Sequence, residues 1–328
     1  EELNSDYILY QKLKKFIKKN EFKLKEEEIT IAHSLIADFE NSGIHLNCRL
    51  KDLFEAKNNI AKDSEQFLTN CQSNLDRTCI NHSQIILLNS ILTSRKKMAK
   101  ILAFNSFSEY NLKMTMAGSY ENVFNFLHRI ISITAQSNQI DFSAISQILP
   151  MRIESLKELA SLAENSTIND PVILPLDNLI NTLLEILENL FGVSLHICKD
   201  APEYVWSSAI VRIIVKDKGL NKIGSFYCDL FQRAHKPFFS CHYTLLGRKS
   251  DQDTQLPSVY LSLNIPIVYK DTKLYTSFCG AETFFHEMGH CLHSIMYNGK
   301  YQHLSGTRCS TDLAEIPSLL FEQFLYDP

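Results

Sequence analysis

Residues 284–290 read Phe-Phe-His-Glu-Met-Gly-His and contain the pattern His-Glu-x-x-His at His286, Glu287 and His290. Because each residue of an α-helix turns by about 100°, the two histidines lie on one helical face about one turn apart. Two imidazoles at this spacing can bind one divalent ion. Glu287 lies beside that position, where its carboxylate can take the proton of a water that the ion polarises. The stretch therefore predicts a metal-binding helix that carries its own general base.

A third ligand is needed for such a site, and two candidates follow in the sequence. His293 lies on the same helical face, but three side chains along one straight helix do not easily converge on a tetrahedral ion. We therefore expect His293 to support the ligands or to lie in the core. An elongated motif would place a histidine six residues after His290, where the chain has Met296.

The preferred third ligand is the carboxylate of Glu315, in the segment 311–322, Thr-Asp-Leu-Ala-Glu-Ile-Pro-Ser-Leu-Leu-Phe-Glu. Asp312 and Ser318 lie three residues before and after Glu315, so they share its face on a predicted helix. Both are predicted to orient the ligands through hydrogen bonds. The alternative for each is a helix cap or a solvated side chain.

The remainder of the chain predicts helices, then a small sheet, then helices again. Over about the first 195 residues the apolar spacing is helical, most clearly at 176–191, with Asp177 as N-cap and Gly192 as C-cap. Four short β-branched and aromatic runs then predict a sheet of about four strands, at 209–215, 224–231, 239–246 and 259–264. Helical periodicity returns from about Thr276. This order indicates a mostly α, α+β protein with an N-terminal helical region, 1–200, and a second region, 201–328, that carries the sheet and the metal-binding helices.

Composition excludes several classes of protein. The chain has 328 residues, a net charge of −4 and 45% hydrophobic residues, which argues against disorder and against a nucleic-acid partner. Its nine cysteines are an odd number without a Cys-x-x-Cys pair, which favours reduced thiols in an intracellular compartment. No apolar run is long enough to predict a membrane span. The basic stretch 12–19 is interpreted as a solvated helix face, with a membrane-binding arm as the alternative. Because the chain begins at Glu1, we expect a mature form or a fragment.

The sequence resembles the thimet oligopeptidase family of zinc metallopeptidases, closely from about Val205 to the end and more loosely at 94–99 and 104–110. Three segments carry the resemblance: 226–237, FYCDLFQRAHKP; 285–294, FHEMGHCLHS; and 301–318, YQHLSGTRCSTDLAEIPS. Within the family, 306–312, GTRCSTD, is most like the mitochondrial intermediate-peptidase branch. The resemblance implies a large helical peptidase fold, with a small β-sheet beside the His-Glu-x-x-His helix and a catalytic cleft between lobes.

The resemblance also implies a site and a function. His286, His290 and Glu315 would bind one Zn²⁺ per chain, and Glu287 would be the base of a metalloendopeptidase. The expected protein is a monomer of the mitochondrial matrix that removes an N-terminal octapeptide from imported precursor proteins. The alternatives are an oligopeptidase, cytoplasmic or organellar, that degrades short peptides, and a catalytically incomplete fragment that binds zinc and peptide. Family members continue past the equivalent of Pro328 with a His and Tyr residues that stabilise the oxyanion, so we expect the catalytic region to be incomplete here.

Two further expectations concern the substrate and the cleft wall. One strand, 239–246, is predicted to present an edge along the cleft and to hold the peptide as an added strand. Most intermediate peptidases carry a Trp-Asp and tyrosine-containing segment where this chain has 163–169, so an internal segment is expected to be shortened. Four polar residues near the strand are interpreted as surface or strand-end residues, with substrate contact as the alternative: Gln232, Arg233, His235 and His242.

Overall fold

The computed structural model describes residues 6–20, 22–73, 82–148, 173–198, 206–237, 239–250 and 253–326. Backbone contacts divide the chain into two units, Glu1–Ile168 and Asn169–Pro328. Helices dominate and small sheets accompany them, which confirms the mostly α, α+β class. The domain boundary at residue 200 and the cleft between lobes stay predictions, and segment 163–169 lies outside the described residues.

The described part of the first unit is helical. Two apolar clusters hold it, one between the helices at 50–73 and 82–101 around Leu53 and Met98, and one around Tyr10 and Phe39. In the basic stretch, Lys14 Nζ lies 3.4 Å from Glu40 Oε1 of the next helix. The helices are α1 (Tyr7–Asn20), α2 (Glu26–Asn41), a 3-10 turn (Ile44–Arg49), α3 (Leu50–Ser73), α4 (His82–Ile101), α5 (Phe107–Leu112) and α6 (Tyr120–Ile148).

The second unit begins with β1 (Ile173–Pro175) and α7 (Leu176–Ile186), which runs into a π-helical turn (Leu187–Phe191). Asp177 is not the N-cap, because Pro175 holds that position with extended backbone angles and places Asp177 in the first turn. Gly192 ends the helix as predicted, with a φ of 66° that glycine adopts at little cost.

Among the described residues, the main sheet has five strands. Their order across the sheet is β2 (Val193–Ile197), β3 (Val211–Asp217), β4 (Lys222–Asp229), β8 (Ser258–Ser262) and β5 (Cys241–Leu246). All neighbours pair antiparallel except β4 and β8, which pair parallel, and β5 forms one edge. The four predicted runs correspond to β3, β4, β5 and β8. The fifth strand, β2, was not predicted, because it directly follows Gly192, the predicted end of the helix, within the region assigned to helices. The other described strands of the unit after β1 are β6 (Lys249–Ser250), β7 (Thr254–Gln255), β9 (Ile267–Lys270) and β10 (Lys273–Ser277).

Two α-helices follow the strands, α8 (Phe278–Met296) and α9 (Thr311–Gln323), with a 3-10 turn (Gln302–Leu304) between them. The hairpin of β9 and β10 joins β1 in a second sheet. Because β10 extends to Ser277, α8 begins at Phe278, two residues after the predicted start of the helix. Ser277 caps this helix by accepting a hydrogen bond from the Gly280 N–H at 3.2 Å. The inner face of α8 packs on β4, β8 and β5, and buried side chains such as Phe226, Leu261 and Phe285 form the shared core. The small sheet beside the His-Glu-x-x-His helix is therefore confirmed.

A buried ionic cluster ends β4. The Asp229 carboxylate is fully buried and accepts hydrogen bonds from Arg233 at 2.5 Å, Lys236 at 3.1 Å and the Tyr260 hydroxyl at 2.8 Å. The Lys236 ammonium also donates to the backbone oxygens of Phe231 and Leu263. These contacts give Arg233 a structural partner and fix the loop that follows β4.

Two expectations about the whole chain concern cysteines and membranes. Seven cysteines have side chains that the structure describes, and all seven are free thiols: Cys71, Cys198, Cys228, Cys241, Cys279, Cys291 and Cys309. In the part of the chain that the structure describes, every helix is too short or too polar to cross a bilayer.

Candidate metal centre

The histidines of α8 meet a carboxylate of α9. His286 Nε2 lies 3.4 Å from Glu315 Oε2, and His290 Nε2 lies 3.2 Å from the same oxygen. The three potential ligand atoms all lie within 4.8 Å of one another. The structure therefore brings together the three residues that the sequence predicts as ligands.

This donor set fits a zinc ion. Zinc is bound by neutral imidazole nitrogens and carboxylate oxygens at about 2.0–2.1 Å, so neighbouring ligand atoms of a tetrahedral site lie about 3.3–3.4 Å apart. The separations from Glu315 Oε2 to His286 and His290, 3.4 and 3.2 Å, are of this size. The side chains of His286 and His290 are only 28% and 11% exposed to solvent, whereas that of Glu315 is 53% exposed. The site is thus enclosed on the side of α8 and open on the side of the carboxylate.

Close contact between the helices creates this convergence. A Cβ on Gly289 would lie 2.6 Å from both the Pro317 oxygen and the Ser318 Cα, so only glycine lets the α9 backbone approach α8 there. Glu315 lies two residues before this contact, and Gly289 lies one residue before His290. The glycine inside the motif therefore sets the distance between the ligands of the two helices.

Burial changes the pKa of two groups in the site. Burial lowers the pKa of His290, helped by His286 and His293 and opposed by Glu315. This favours the neutral imidazole, which is the form that binds metals. Burial also raises the pKa of Glu287, which is 8% exposed, while His286 lowers it and Glu315 raises it. A carboxylate with a raised pKa holds a proton more strongly, as a general base requires.

The predicted supporting residues differ in their surroundings. Ser318 is buried, and its hydroxyl lies 2.8 Å from the Glu315 backbone oxygen and 3.1 Å from Glu315 Oε2. Asp312 is exposed in the first turn of α9, near Cys309. His293 is half-buried on α8, and burial lowers its pKa. The structure therefore joins Ser318 directly to the proposed ligand, while the roles of Asp312 and His293 stay predictions.

Glu322 belongs to this site and was missed by the sequence analysis. Its Oε1 lies 2.5 Å from His286 Nδ1, the ring nitrogen that does not face Glu315. Glu322 lies seven residues, or about two helical turns, after Glu315, so both share one face of α9. That spacing was the available signal, but only the residues one turn from Glu315 were predicted to support the ligands.

His242 of β5 reaches the same site. Its Nε2 lies 2.7 Å from the buried Ser294 hydroxyl of α8, and its ring stacks on His290 with centroids 5.7 Å apart. Burial lowers the pKa of His242 to about 4, and His290 and His293 contribute to the same shift. From the sequence, His242 is interpreted as a surface or strand-end residue, and in the structure its partners are Ser294 and His290.

Comparison with known proteins gives the family. The sequence profile of peptidase family M3 matches residues 65–328, which include all the residues of this site. The chain belongs to peptidase family M3. Members of this family are metallopeptidases, which agrees with a site of two histidines and a carboxylate.

The curated relatives of this M3 chain include several proteins named mitochondrial intermediate peptidase. The one from Homo sapiens is 31% identical over 388 aligned positions, which cover 100% of this chain and 54% of the relative. The one from Mus musculus is 29% identical over the same shares, and the one from Candida glabrata is 26% identical over 99% of this chain and 57% of the relative. The predicted family resemblance is therefore confirmed.

These alignments also describe the extent of the M3 chain. It spans about half the length of the curated relatives that it matches. The alignment with the Homo sapiens protein runs over 388 positions, more than the 328 residues of the chain, so that relative carries internal segments without a counterpart here. By resemblance to relatives named as mitochondrial, the M3 chain is assigned to mitochondria.

Proposed function

We propose that this chain carries the zinc site of a metalloendopeptidase that removes an N-terminal octapeptide from precursor proteins in the mitochondrial matrix. The observation that carries the proposal is the convergence of His286, His290 and Glu315, with Glu287 beside them, in a chain of peptidase family M3. His286, His290 and Glu315 would hold the ion. The names of the relatives support the processing of precursors, since they are called mitochondrial intermediate peptidases.

In the proposed reaction, the three ligands would hold the ion and Glu287 would transfer the proton. A zinc ion in this site would supply Lewis-acid polarisation of the peptide carbonyl and would lower the pKa of the attacking water. Glu287 accepts the proton of that water and passes it to the leaving amine nitrogen. The buried setting of Glu287 raises its pKa, which helps it to retain the proton between the two steps. Water attacks the carbonyl directly, so no covalent bond forms between peptide and protein.

The edge strand β5 is proposed to bind the backbone of the peptide. Among the strands that the structure describes, β5 pairs only with β8, so its other side offers backbone groups to an added strand. His242 on this strand contacts Ser294 and His290 of α8, so β5 runs beside the metal centre. Main-chain pairing of this kind gives affinity with little selectivity for side chains.

A first experiment tests the metal and the base together. Zinc content is measured for the 328-residue chain, and peptide hydrolysis is measured for the full-length protein that contains it. We expect one zinc per chain, and we expect Glu287→Gln to keep the zinc and to lose hydrolysis by at least about 100-fold. The matched control is Glu185→Gln, a change of the same kind at an exposed glutamate of α7. Full hydrolysis by Glu287→Gln, or by protein freed of zinc, would contradict the mechanism.

A second experiment separates the possible substrates. The full-length protein is given a precursor that has already undergone its first cut and, separately, free peptides of a few residues. Removal of eight residues from the precursor supports the processing function. Cleavage of free peptides alone supports the alternative oligopeptidase. Stoichiometric zinc without turnover in the 328-residue chain would show that this piece binds metal and requires further sequence for catalysis.

A further inference from the structure

The two histidines of the metal centre are supported in different ways. His286 has a carboxylate on its second ring nitrogen, since Nδ1 lies 2.5 Å from Glu322 Oε1. His290 Nδ1 is buried and has no hydrogen-bond partner among the residues that the structure describes. A metal-binding imidazole usually has its second nitrogen hydrogen-bonded, because this bond fixes the orientation of the ring. The His290 ring is otherwise in contact with the backbone of Ala314 and with two neighbouring imidazole rings, so these are the groups that can orient it.

His242 provides a contact of the required kind. Its ring lies over the ring of His290 with an interplanar angle of 27° and centroids 5.7 Å apart. The ring of His286 contacts the edge of the His290 ring, with centroids 4.8 Å apart, but His286 is itself a proposed ligand. Of these two ring contacts, only the one with His242 comes from outside α8, because His242 lies on β5.

Ser294 holds the His242 ring in this position. The Ser294 hydroxyl lies one helical turn after His290, is fully buried, and is 2.7 Å from His242 Nε2. Gly306 closes over the hydroxyl, since a Cβ there would lie 2.6 Å from Ser294 Oγ. The serine side chain therefore has little freedom to turn away from His242.

We propose that His242 is a positioning residue for His290. Ser294 fixes the His242 ring, and the stacked ring holds the plane of His290 so that its Nε2 faces Glu315. The inference rests on the proposed function, in which His290 binds zinc. Its consequence is that one ligand of the metal centre is oriented by the strand to which the peptide is proposed to add.

The test measures the zinc dissociation constant of the 328-residue chain by competition with a chromophoric chelator. The variants are His242→Gln, which removes the ring but can still bond to Ser294, and Ser294→Ala, which keeps the ring and removes its anchor. The chain offers a matched control, because His196 on β2, at the opposite edge of the same sheet, bonds to Ser194 at 3.0 Å. His196→Gln and Ser194→Ala change the same residue types in the same kind of pair.

We expect His242→Gln and Ser294→Ala to weaken zinc binding by about 10-fold, the lower end of the range for residues that orient metal ligands. Both controls should stay within about twofold of the parent chain. The absorption spectrum of the Co²⁺-loaded chain should change in both test variants, because it reports the geometry of the ligands. His242→Phe keeps a ring but cannot bond to Ser294, so it should bind zinc about as weakly as Ser294→Ala.

Three outcomes would overturn the proposal. The first is parental zinc affinity and an unchanged Co²⁺ spectrum in folded His242→Gln. The second is loss of folding in both metal-free test variants, seen by circular dichroism, since the pair would then stabilise the fold instead of orienting a ligand. The third is failure of the parent chain to bind zinc, which would also contradict the proposed function. Zinc bound equally well by parent and variants removes this inference alone.

Discussion

Glu322 Oε1 lies 2.5 Å from His286 Nδ1, while Nε2 of the same ring faces Glu315 Oε2 at 3.4 Å. One imidazole thus lies between two carboxylates of the same helix, α9. A carboxylate on Nδ1 favours the tautomer whose free electron pair is on Nε2 and fixes the orientation of the ring toward a metal. We conclude that α9 supplies both the proposed third ligand, Glu315, and the carboxylate of Glu322 that orients the ring of His286.

Replacing Glu322 should weaken the metal centre without removing a ligand. Glu322→Gln keeps the shape of the side chain but removes its charge, so we expect zinc affinity to fall by about 10-fold. Competition with a chelator measures the change, and Glu185→Gln on α7 is the control. Unchanged affinity in Glu322→Gln would mean that the contact with His286 does not tune the ligand.

The crossing of α8 and α9 should not tolerate a methyl group at Gly289. Because a Cβ there would lie 2.6 Å from α9 backbone atoms, Gly289→Ala must push the helices apart. We expect a loss of about 1–3 kcal/mol in the free energy of unfolding, as for other overpacked cores. Zinc affinity should fall as well, since Glu315 moves with α9.

Gly219→Ala is the control for this variant. A Cβ at Gly219 would meet only side-chain atoms of Asn221 and Asp217, which can move aside in the turn after β3. Urea unfolding and zinc titration of both variants give the comparison. Wild-type stability and zinc affinity in Gly289→Ala would show that the helices can separate without cost.

Asp229→Asn should destabilise the second unit. The change leaves the ammonium of Lys236, whose side chain is 1% exposed, without its buried counter-charge. Removing one partner of a buried ion pair costs about 3–5 kcal/mol. Urea unfolding measures the loss, and Asp253→Asn, at an exposed aspartate, should stay within about 0.5 kcal/mol of the parent. A similar small change in Asp229→Asn would contradict the structural role of the cluster.

The same cluster predicts a dependence of stability on pH. Burial raises the pKa of Asp229, but hydrogen bonds from Arg233, Tyr260 and Lys236 outweigh this effect and lower it below the ordinary value. A lowered pKa in the folded state adds stability above the unfolded value, about 3.9, and this stability is lost as the pH falls below it. The stability difference between parent and Asp229→Asn should therefore be constant above about pH 5 and shrink below about pH 4. A difference that does not shrink in acid would indicate that the carboxylate is not the source of the stability.

The convergence of the three candidate ligands could largely be predicted, because the signals for them are local in the sequence; that they bind a metal stays a prediction. Helical spacing places His286 and His290 on one face, and a carboxylate on the next helix was the remaining choice for a ligand. The structure brings Glu315 to both histidines through Gly289, a residue whose role in helix contact the pattern alone does not reveal. The parts that were missed depend on contacts between residues distant in sequence.

Two such cases show the physical reason. β2 was assigned to the helical region because its short run, Val193–Ile197, becomes a strand only by pairing with β3. His242 lies 52 positions before Ser294, and nothing in either local sequence indicates that they meet. Tertiary contacts determine both the strand β2 and the contact of His242 with Ser294. Helical periodicity and capping, in contrast, depend on residues that are close together in the sequence.

The two-helix origin of the proposed ligands has a consequence for local opening of the chain. Residues 297–310 separate the end of α8 from α9, so an ion bound to ligands of both helices would hold the two ends of this segment together. Ligand binding stabilises the closed form by about 2.7 kcal/mol when free zinc is 100 times its dissociation constant. The amide hydrogens of α9 would then exchange with solvent more slowly as zinc rises, whereas those of α3 and α4 would not respond. Protection of α9 from exchange would in this way report occupancy of the metal site without any substrate.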